Sequence, residues 1–580
     1  MNLTAAEIES GPKVRTSPEG WAEWAMRPAV LLRATFLLTF LVYVRTITFD
    51  WVFDDHLQVT MNPWLASWGS LKQIFTLHSW AFTEYEVPAK FYRPVYLVWL
   101  LINNQLFHGM PGWFHLAGLF LHLGVVYLAY LTARRLMGNE RLAAIAALLF
   151  ALHPSKVESV AWVAGLTEVL LAVFFFGTVL AYLRWLQGDR SPIAGDAKGK
   201  RGNRWLVVSG LCFTGAIFSK ETAVLAPLLI FAHYWMSGSW KRRWAEVARL
   251  VTPYVVVGAA YWIVRLEVMH GVAQLSGRLS ASKTMLTMPL AFWWYIRHTV
   301  WPFGLSLYYP EMIVRTGGAT RFVLPLIGLV ALVLIYWRFA RNSVTAKLMG
   351  MWFVLTLLPP VGAVLLLQPH DRYLYLPTFA FAVVAAIVIG KIASQRSAAV
   401  LVAMLALSFA AGSFVTTGYW EDDLHIFERA LVKAPDNMSV RWLLGGLLVD
   451  SGQKDRAVAI MLDGYQRHPD SANLSFAIGQ VYQNQNEYPQ ARKFFEHTLT
   501  LDADKRVLAL CHLNMGTMAQ TENNLDEAVQ EYRKAIALSP GSAGFHQSLG
   551  TVLRAQGKNA EALEEFEREK QIRMTRTRNF

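Results

Sequence analysis

"AVLLRATFLLTFLVYVRTIT", residues 29–48, runs almost directly into "FDDHLQVTMNP", residues 53–63, and the reading of that junction decides the fold. The first stretch is apolar and long enough to cross roughly 30 Å of hydrocarbon as a helix. The second places two adjacent carboxylates, Asp54 and Asp55, a few residues past its end. A carboxylate at a membrane surface is stable where it faces water and strongly unfavourable where it faces lipid. The pair therefore marks an aqueous face at the edge of a bilayer.

Working outward, further apolar stretches lie near residues 113–133, 141–153 with a weak continuation, 160–184, 205–219, 222–236, 246–265, 321–338, 347–366, 372–391 and 398–416. With the first, they predict an all-α polytopic membrane bundle of about 11 transmembrane helices. Residues 286–303, with "FWWYIRHTVWPFG", read as an interfacial or re-entrant helix, and the aromatic residues around 292 to 309 as an interfacial belt. The composition agrees: of 580 residues 54% are hydrophobic and only 16% charged, too apolar for an ordinary soluble chain.

The net charge of +13 is unevenly spread, since residues 1–420 carry 35 Lys and Arg against 19 Asp and Glu, and the last 160 residues carry 19 against 22. The basic residues form short clusters between apolar stretches: Lys13, Arg15 and Arg27; Arg134, Arg135 and Arg141; Arg190, Lys198, Lys200, Arg201 and Arg204; Lys241 to Arg243; Arg338, Arg341 and Lys347; Lys391 and Arg396. All fall on one side if the stretches alternate, so that side is expected to be cytoplasmic. Such dispersal excludes nucleic acid as a partner. The loop 49–112 is then expected to face outward, and an odd number of crossings puts the C-terminal tail on the same outer face. Residues 1–28 are polar and lack the apolar core of a signal peptide, so the first apolar segment is expected to stay as an anchor. Cys212 lies in an apolar stretch and Cys511 in the tail, so no disulfide is expected.

The tail, residues 421–580, contains a repeat. Gly445, Gly479, Gly516 and Gly550 fall in register at spacings of 34, 37 and 34. Twelve residues after each stands an alanine, Ala457, Ala491, Ala528 and Ala562, and four later an aromatic ring in three of the four, Phe495, Tyr532 and Phe566. Pro469 and Pro540 close two of the units. Small residues at fixed positions are what paired helices need where they approach closely. The tail resembles a tetratricopeptide-repeat (TPR) solenoid, with repeats near 438–471, 472–505, 509–542 and 543–576, and "DLHIFERALVKAP" as a half-repeat joining it to the last membrane helix. Its function is read as a concave surface for a protein or peptide; the bland alternative is that it only stabilises or dimerises the chain.

Several other polar residues flanked by apolar sequence fall on the expected outer face: Arg93, His153, Glu158, Lys220, Glu221, His370, Arg372 and Tyr373. Ionisable groups at such positions are functional candidates, with paired structural charges as the competing reading. Taken in order, "FDDHLQVTMNPWL", "FYRPV", "ALHPSKVESVAWVAGLTEVL", "FSKETAVLAP" and "HDRYLYLP", followed by the repeats, resemble the transmembrane and tetratricopeptide-repeat O-mannosyltransferases and their bacterial relatives. That family sits within the glycosyltransferase C (GT-C) superfamily, with the protein O-mannosyltransferases. The resemblance covers nearly the whole chain, residues 29–420 as a GT-C-like membrane domain and 421–580 as the TPR domain.

The resemblance implies transfer of mannose or another hexose from a polyprenyl-phosphate carrier to a hydroxyl of a protein acceptor on the non-cytoplasmic side, with inversion and with no metal or cofactor required. It matches Asp54 or Asp55 to the acidic pair proposed as general base, and it implies a multi-pass protein of a bacterial inner membrane facing the periplasm, or of the endoplasmic reticulum facing the lumen if eukaryotic. One departure stands out, because Leu166 occupies "AGLTE" where relatives often carry arginine, so another cation must meet the donor phosphate.

Inverting transfer needs a carboxylate to draw the proton from the attacking hydroxyl, and successive side chains diverge, so one aspartate is expected as base and the other as its partner, with Asp55 slightly ahead. Phosphate departure develops negative charge, against which a cation at about 4 Å is worth roughly 4 kcal/mol at an effective dielectric near 20. Arg372 is the first choice for that task because guanidinium grips phosphate bidentately; Lys220 and Arg93 follow. Each has a structural competitor, Glu221 for Lys220 and Asp371 for Arg372. His153, Glu158, Glu221, His370 and Tyr373 are expected to support the site. His153, before Pro154 where a helix should break, is read as a site rim and not as a metal ligand, and His115 and His122 as packing or interfacial residues. Competing functions are a catalytically inactive membrane scaffold that assembles an envelope complex through its repeats, and a transporter, which the outer-face clustering of charge disfavours.

Overall fold

The computed structural model describes residues 20–83, 91–187, 203–238, 244–269, 281–310, 312, 319–364 and 368–578. The charges at Lys13, Arg15, Arg190, Lys198, Lys200, Arg201 and Lys241 to Arg243 lie outside the described residues. Among the described residues every regular element is helical. The chain divides into two compact units, one of residues 1–307 and 311–425 and one of 308–310 and 426–580.

In the first unit the chain runs through α1 (Trp21–Ala25), α2 (Pro28–Tyr43), α3 (Leu71–Thr76), α4 (Pro94–Phe107), α5 (Pro111–Met137), α6 (Glu140–Leu152), α7 (Val157–Ala161) and α8 (Thr167–Gln187). It continues with α9 (Arg204–Ser219), α10 (Ala226–Met236), α11 (Trp244–Val268), α12 (Ala281–Val300), α13 (Ala319–Ala340), α14 (Val344–Val364), α15 (Pro377–Ile389) and α16 (Gln395–Gly418). Each apolar stretch read from the sequence overlaps one of these helices, although 160–184 runs across the break between α7 and α8 and 372–391 begins in the turn before α15, and α4 lies inside the expected outer loop 49–112. Six segments, 28–48, 111–137, 164–187, 244–268, 320–340 and 395–418, are long and apolar enough to cross a membrane, and a seventh would be the bent pair 140–152 and 154–161. Three shorter apolar helices lie at 204–219, 344–359 and 377–389. Six or seven segments long enough to cross and three shorter apolar helices stand beside the expected count of about 11. Residues 286–300 of the 286–303 stretch fall in α12, which is not among the helices apolar enough to cross.

Local chemistry sets the breaks. Proline opens α2, α4, α5 and α15 at the first turn, where its missing N–H costs nothing. Gly138, at φ 64°, closes α5, and Asn139 caps α6 by accepting from the Leu142 N–H at 3.0 Å. The helix then stops at His153, held extended ahead of Pro154, and the chain bends by 57°.

Helix α6 is the centre of the bundle: residues 143–152 are all buried, with α2, α5, α15 and α16 around it. Small residues and buried hydroxyls join the helices, as expected in lipid. The Ser413 hydroxyl donates to the Leu152 carbonyl at 2.8 Å, and Ser209 donates to the Thr178 carbonyl at 2.7 Å. The outer helices leave large apolar side chains uncovered, such as Leu324, Val333, Leu334, Ile335 and Trp337 of α13, a surface suited to acyl chains rather than water.

Among the described residues, basic side chains gather at one end of this bundle. Arg135 at the end of α5 bonds Gln187 at the end of α8, Arg184 lies over the ring of Trp205 at the start of α9, and Lys391 after α15 lies over Phe339 at the end of α13. The opposite end carries the loop after α2, the break after α6 and the start of α15, and with them the acidic pair.

The second unit continues α17 (Asp423–Lys433) into α18 (Met438–Asp450), α19 (Lys454–Arg467), α20 (Ala472–Asn484), α21 (Tyr488–Thr500), α22 (Lys505–Thr521), α23 (Leu525–Leu538), α24 (Ala543–Ala555) and α25 (Asn559–Arg578). Successive pairs pack as helical hairpins, the arrangement that the glycine register predicts. A Cβ on Gly479 would meet the Phe495 ring at 2.7 Å, one on Gly516 the Tyr532 ring at 2.7 Å, and one on Gly550 the Phe566 ring at 2.8 Å. In the first repeat Met461 stands in the ring's place. The four register alanines are all buried.

The same geometry separates two kinds of glycine. Gly516→Ala is expected to lower the stability of the repeat unit by about 1–3 kcal/mol, because a rigid ring faces the new methyl group. Gly446→Ala, which meets nothing within 4 Å, is expected to raise it by up to about 1 kcal/mol through helix propensity. Thermal melts of the full chain followed by circular dichroism, in detergent, would distinguish the two signs.

Candidate active site

The loop after α2 folds back on itself through Phe53, whose φ of 53° lies in the left-handed region. A non-glycine residue there costs on the order of 1–2 kcal/mol, so the surroundings must hold it. The turn brings the Asp55 N–H to the Val52 carbonyl at 3.0 Å, and the two aspartates then diverge as adjacent side chains must.

Asp55 is fully buried. Its Oδ1 accepts from the Ala164 N–H at 2.7 Å and its Oδ2 from the Val52 N–H at 3.3 Å, while Trp162 Nε1–H donates to the Val52 carbonyl at 3.2 Å. Burial pushes its carboxyl well above the usual range, against the pull of those N–H groups. Asp55 thus ties the loop to the turn that opens α8. Asp54 is only partly buried; burial pushes its carboxyl up to about 6, and the Arg372 guanidinium opposes the shift. The order expected between the two is reversed in accessibility: Asp55 is fully buried and Asp54 partly exposed.

Around them stand three ion pairs. Glu158 accepts from the Arg372 backbone N–H at 2.9 Å through Oε2 and from Arg372 Nη1 through Oε1. Glu168 pairs with Lys220. Glu221 takes Arg93 Nε at 3.2 Å and Nη2 at 2.9 Å. The structural partners expected from sequence neighbours are therefore not those found: Lys220 meets Glu168 and not Glu221, and Arg372 meets Glu158 and not Asp371. Asp371 instead accepts from the Ser306 N–H at 3.3 Å. The reason is geometric, since neighbours in a short helical turn point apart while residues on facing elements meet.

Tyr373 joins the pairs. The Lys220 ammonium lies 4.9 Å and the Arg372 guanidinium 5.1 Å from its ring centre, and Arg372 also lies 5.2 Å from the Trp162 ring, distances suited to cation–π attraction. The Glu158 pair raises the Arg372 guanidinium further above its ordinary value against the penalty of burial. His370 Nδ1 stands 3.4 Å from the Glu158 carboxylate, and burial together with Arg372 lowers its imidazole. A cavity lined by Glu168, Leu171, Lys220, Thr222, Leu225, Thr356, Tyr373 and Leu376 opens beside the Lys220 pair.

Of the sequence candidates, Asp54, Asp55, Glu158, Arg372, His370 and Tyr373 form one connected group, with Lys220 reached through Tyr373 and Arg93 with Glu221 beside them. His153 stands apart. Its Nε2–H donates to the Thr299 carbonyl at 2.9 Å, so its Nδ1 is the acceptor for Ser155 at 2.8 Å; both ring nitrogens are used in holding the break after α6. His115 and His122 pack edge-on against Phe49 and Tyr43. Leu166 is fully buried and lies against Gly118 of α5.

Three residues escaped the sequence reading. Glu168 was hidden inside "AGLTEVL", although a third acid is what buried Lys220 requires once Glu158 and Glu221 take the partly buried Arg372 and Arg93. Lys156 is buried, with Nζ donating to the Tyr375 carbonyl at 2.7 Å and to Thr378, so it closes a turn instead of meeting a ligand. Tyr96 of α4 has a buried hydroxyl with no hydrogen-bond partner among the described residues and lies in the field of Asp54, Asp55 and Arg93.

Bundle, acidic loop, paired cations and repeat array together define a class: a polytopic helical membrane domain built around a polar site, joined to a TPR solenoid. Two family models match the chain. One, dolichyl-phosphate-mannose-protein mannosyltransferase, covers residues 89–275; the other, tetratricopeptide repeat, covers residues 443–577. The human protein O-mannosyl-transferase TMTC3 is 24% identical over 577 residues, 90% of this chain and 62% of its own length. Human protein O-mannosyl-transferase TMTC1 is 31% identical over 187 residues, 32% of this chain and 21% of its own. Among solved structures, MamA from Desulfovibrio magneticus RS-1 matches 26% of this chain and 84% of its own at 19% identity, with a TM-score of 0.24. The resemblance to the transmembrane and tetratricopeptide-repeat O-mannosyltransferases thus extends along both units, and the chain spans about 62% of the length of TMTC3.

The elevated carboxyl of Asp54 makes a signed prediction. Between the ordinary carboxylate value and about 6 the folded state holds a proton that the unfolded chain releases, so this group's contribution to stability falls as pH rises through that window. Asp54→Asn is expected to stabilise the protein at pH 8, on the order of 1–3 kcal/mol, and to change little at pH 4. Glu158→Ala should do the opposite, destabilising by about 1–3 kcal/mol because it strands a partly buried guanidinium. Thermal melts in detergent at the two pH values would check both.

Proposed function

We propose that the chain is an integral-membrane glycosyltransferase that moves mannose or another hexose from a polyprenyl-phosphate donor to a hydroxyl of a protein acceptor, with inversion and without a metal. The observation that carries this reading is the setting of Asp54: a reachable carboxylate, tuned towards neutrality, facing Arg372 at the polar end of a membrane bundle. A base with its pKa near the working pH combines the ionised state with proton affinity. Asp54 draws the proton from the acceptor hydroxyl as that oxygen attacks the anomeric carbon, and the bond from that carbon to the phosphate oxygen breaks on the far face. Asp55 holds the loop.

Arg372 meets the departing phosphate. Its Nη1 is engaged by Glu158, which leaves Nε–H and Nη2–H as a fork of the kind that matches phosphate oxygens. Lys220, with one of its three donors on Glu168, is the second cation, and Arg93 the third. Leu166 leaves the phosphate role to these residues. The mannosyltransferase model over residues 89–275 and the names of TMTC3 and TMTC1 support the sugar, the acceptor class and a lipid-linked donor.

The end of the bundle that carries Asp54 is the non-cytoplasmic one in this reading, since the basic clusters gather at the other. The last helix, α16, ends beside the acidic loop, where Trp420 stacks on Trp162 at 5.6 Å between ring centres. The repeats that follow then share the aqueous compartment of the site and recruit the acceptor protein or a partner.

One observation favours the scaffold reading: all three candidate cations already have a glutamate partner. Transfer from polyprenyl-phosphate mannose to a Ser/Thr peptide, by purified protein in detergent with chelator present, separates the two. Wild-type protein is expected to transfer, with activity rising through about pH 6. Asp54→Asn is expected to lose about 10²–10⁴-fold, and Arg372→Lys about 10-fold or more. A scaffold would show no transfer in any of the three and would keep its binding.

A further inference from the structure

Within its own loop the acidic turn is fixed by the Asp55 N–H on the Val52 carbonyl at 3.0 Å and by Asp55 Oδ2 accepting from the Val52 N–H at 3.3 Å, yet Phe53 sits at φ 53°, a conformation that a bulky side chain does not choose by itself. What holds it comes from 370 residues away. The Phe53 N–H donates to Asp423 Oδ1 at 2.7 Å, and His56 Nε2–H donates to Asp423 Oδ2 at 2.9 Å. One carboxylate thus grips the residue just before Asp54 and the residue just after Asp55. Its neighbours reinforce the grip, because the Asp50 N–H donates to the Glu421 carbonyl at 3.1 Å, Arg45 lies 3.6 Å from the Glu421 carboxylate, and Trp420 stacks on Trp162. Residues 420–423 form a strap across the acidic loop.

We propose that Asp423 is a positioning residue for the transfer reaction, clamping the Phe53–His56 turn so that the Asp54 carboxylate stands where the acceptor hydroxyl arrives. The inference rests on Asp54 being the base. It assigns the first turn of α17, which the sequence places with the repeats, to the reaction centre. The clamp is not a generic stabiliser, for it spans only the four residues that contain both aspartates. A misplacement of about 1 Å at a reacting group can cost about 10²-fold in rate, so loss of the clamp is read in turnover and not in donor binding.

The test uses full-length protein and three substitutions. Asp423→Ala removes both acceptors and is expected to lower kcat at least about 10-fold with the KM for polyprenyl-phosphate mannose within about twofold. Asp423→Asn keeps an oxygen for the Phe53 N–H and is expected to restore kcat to within about threefold of wild type. His56→Ala, which removes one arm, should fall between. Hydrogen exchange by mass spectrometry over residues 50–56 should be faster in Asp423→Ala than in wild type. Equal kcat in all four proteins, unchanged exchange at 50–56, or losses shared by Asp423→Asn and accompanied by a lowered melting temperature would each overturn the proposal. If the wild type transfers no sugar, the proposed function fails, and the exchange measurement still decides whether the clamp exists.

Discussion

A charge at the edge of hydrocarbon is stable only where another group meets it, and the pairs Glu158–Arg372, Glu168–Lys220 and Glu221–Arg93 satisfy that condition for the whole polar end of this bundle. Each joins two separate segments: α7 to the turn before α15, the start of α8 to the end of α9, and the start of α4 to the turn before α10. The pairs therefore do the work of tertiary contacts as well as of neutralisation. Replacing such a pair with apolar residues would lose little stability, so their retention calls for another reason. In the proposed function that reason is a donor phosphate that competes with Glu158 for the Arg372 guanidinium.

The two aspartates illustrate how one short stretch serves two ends. Asp55 sits among backbone N–H groups and fastens the loop to the opening of α8, a task that needs a buried acceptor and no access. Asp54, one residue away, is partly exposed and lies in the field of the Arg372 guanidinium. Identical side chains acquire different chemistry because burial and hydrogen bonding act on each separately. The cost of the arrangement appears at Phe53, whose strained backbone aims both side chains and is held from residue 423.

The repeat unit follows a different logic. Its helices meet where glycine lies under an aromatic ring, and a methyl group on Gly479, Gly516 or Gly550 would collide with that ring. Such contacts recur from repeat to repeat because each hairpin buries its face on the next. The membrane unit has no period of this kind; its order comes from capping, from proline at helix starts and from hydroxyls that bond across helices.

The amino-acid sequence by itself determined the all-α class, most of the apolar helices and the repeat register, because hydrophobic length and fixed spacing are properties of consecutive residues; it read α4 as part of the outer loop 49–112. It also singled out Asp54, Asp55, Glu158, Arg372, Tyr373 and His370, since polar residues in apolar surroundings are visible without a fold. It did not disclose which charges pair. Lys220 adjoins Glu221 and Arg372 adjoins Asp371 in the chain, yet both find partners on facing segments, because adjacent side chains point apart. Only the tertiary structure decided that Glu168 pairs with Lys220, that His153 holds a helix break, that Asp54 is the more exposed of the two acids, and that Asp423 closes on the turn. Burial and contact between distant segments set these roles, and neither has a signature in local sequence.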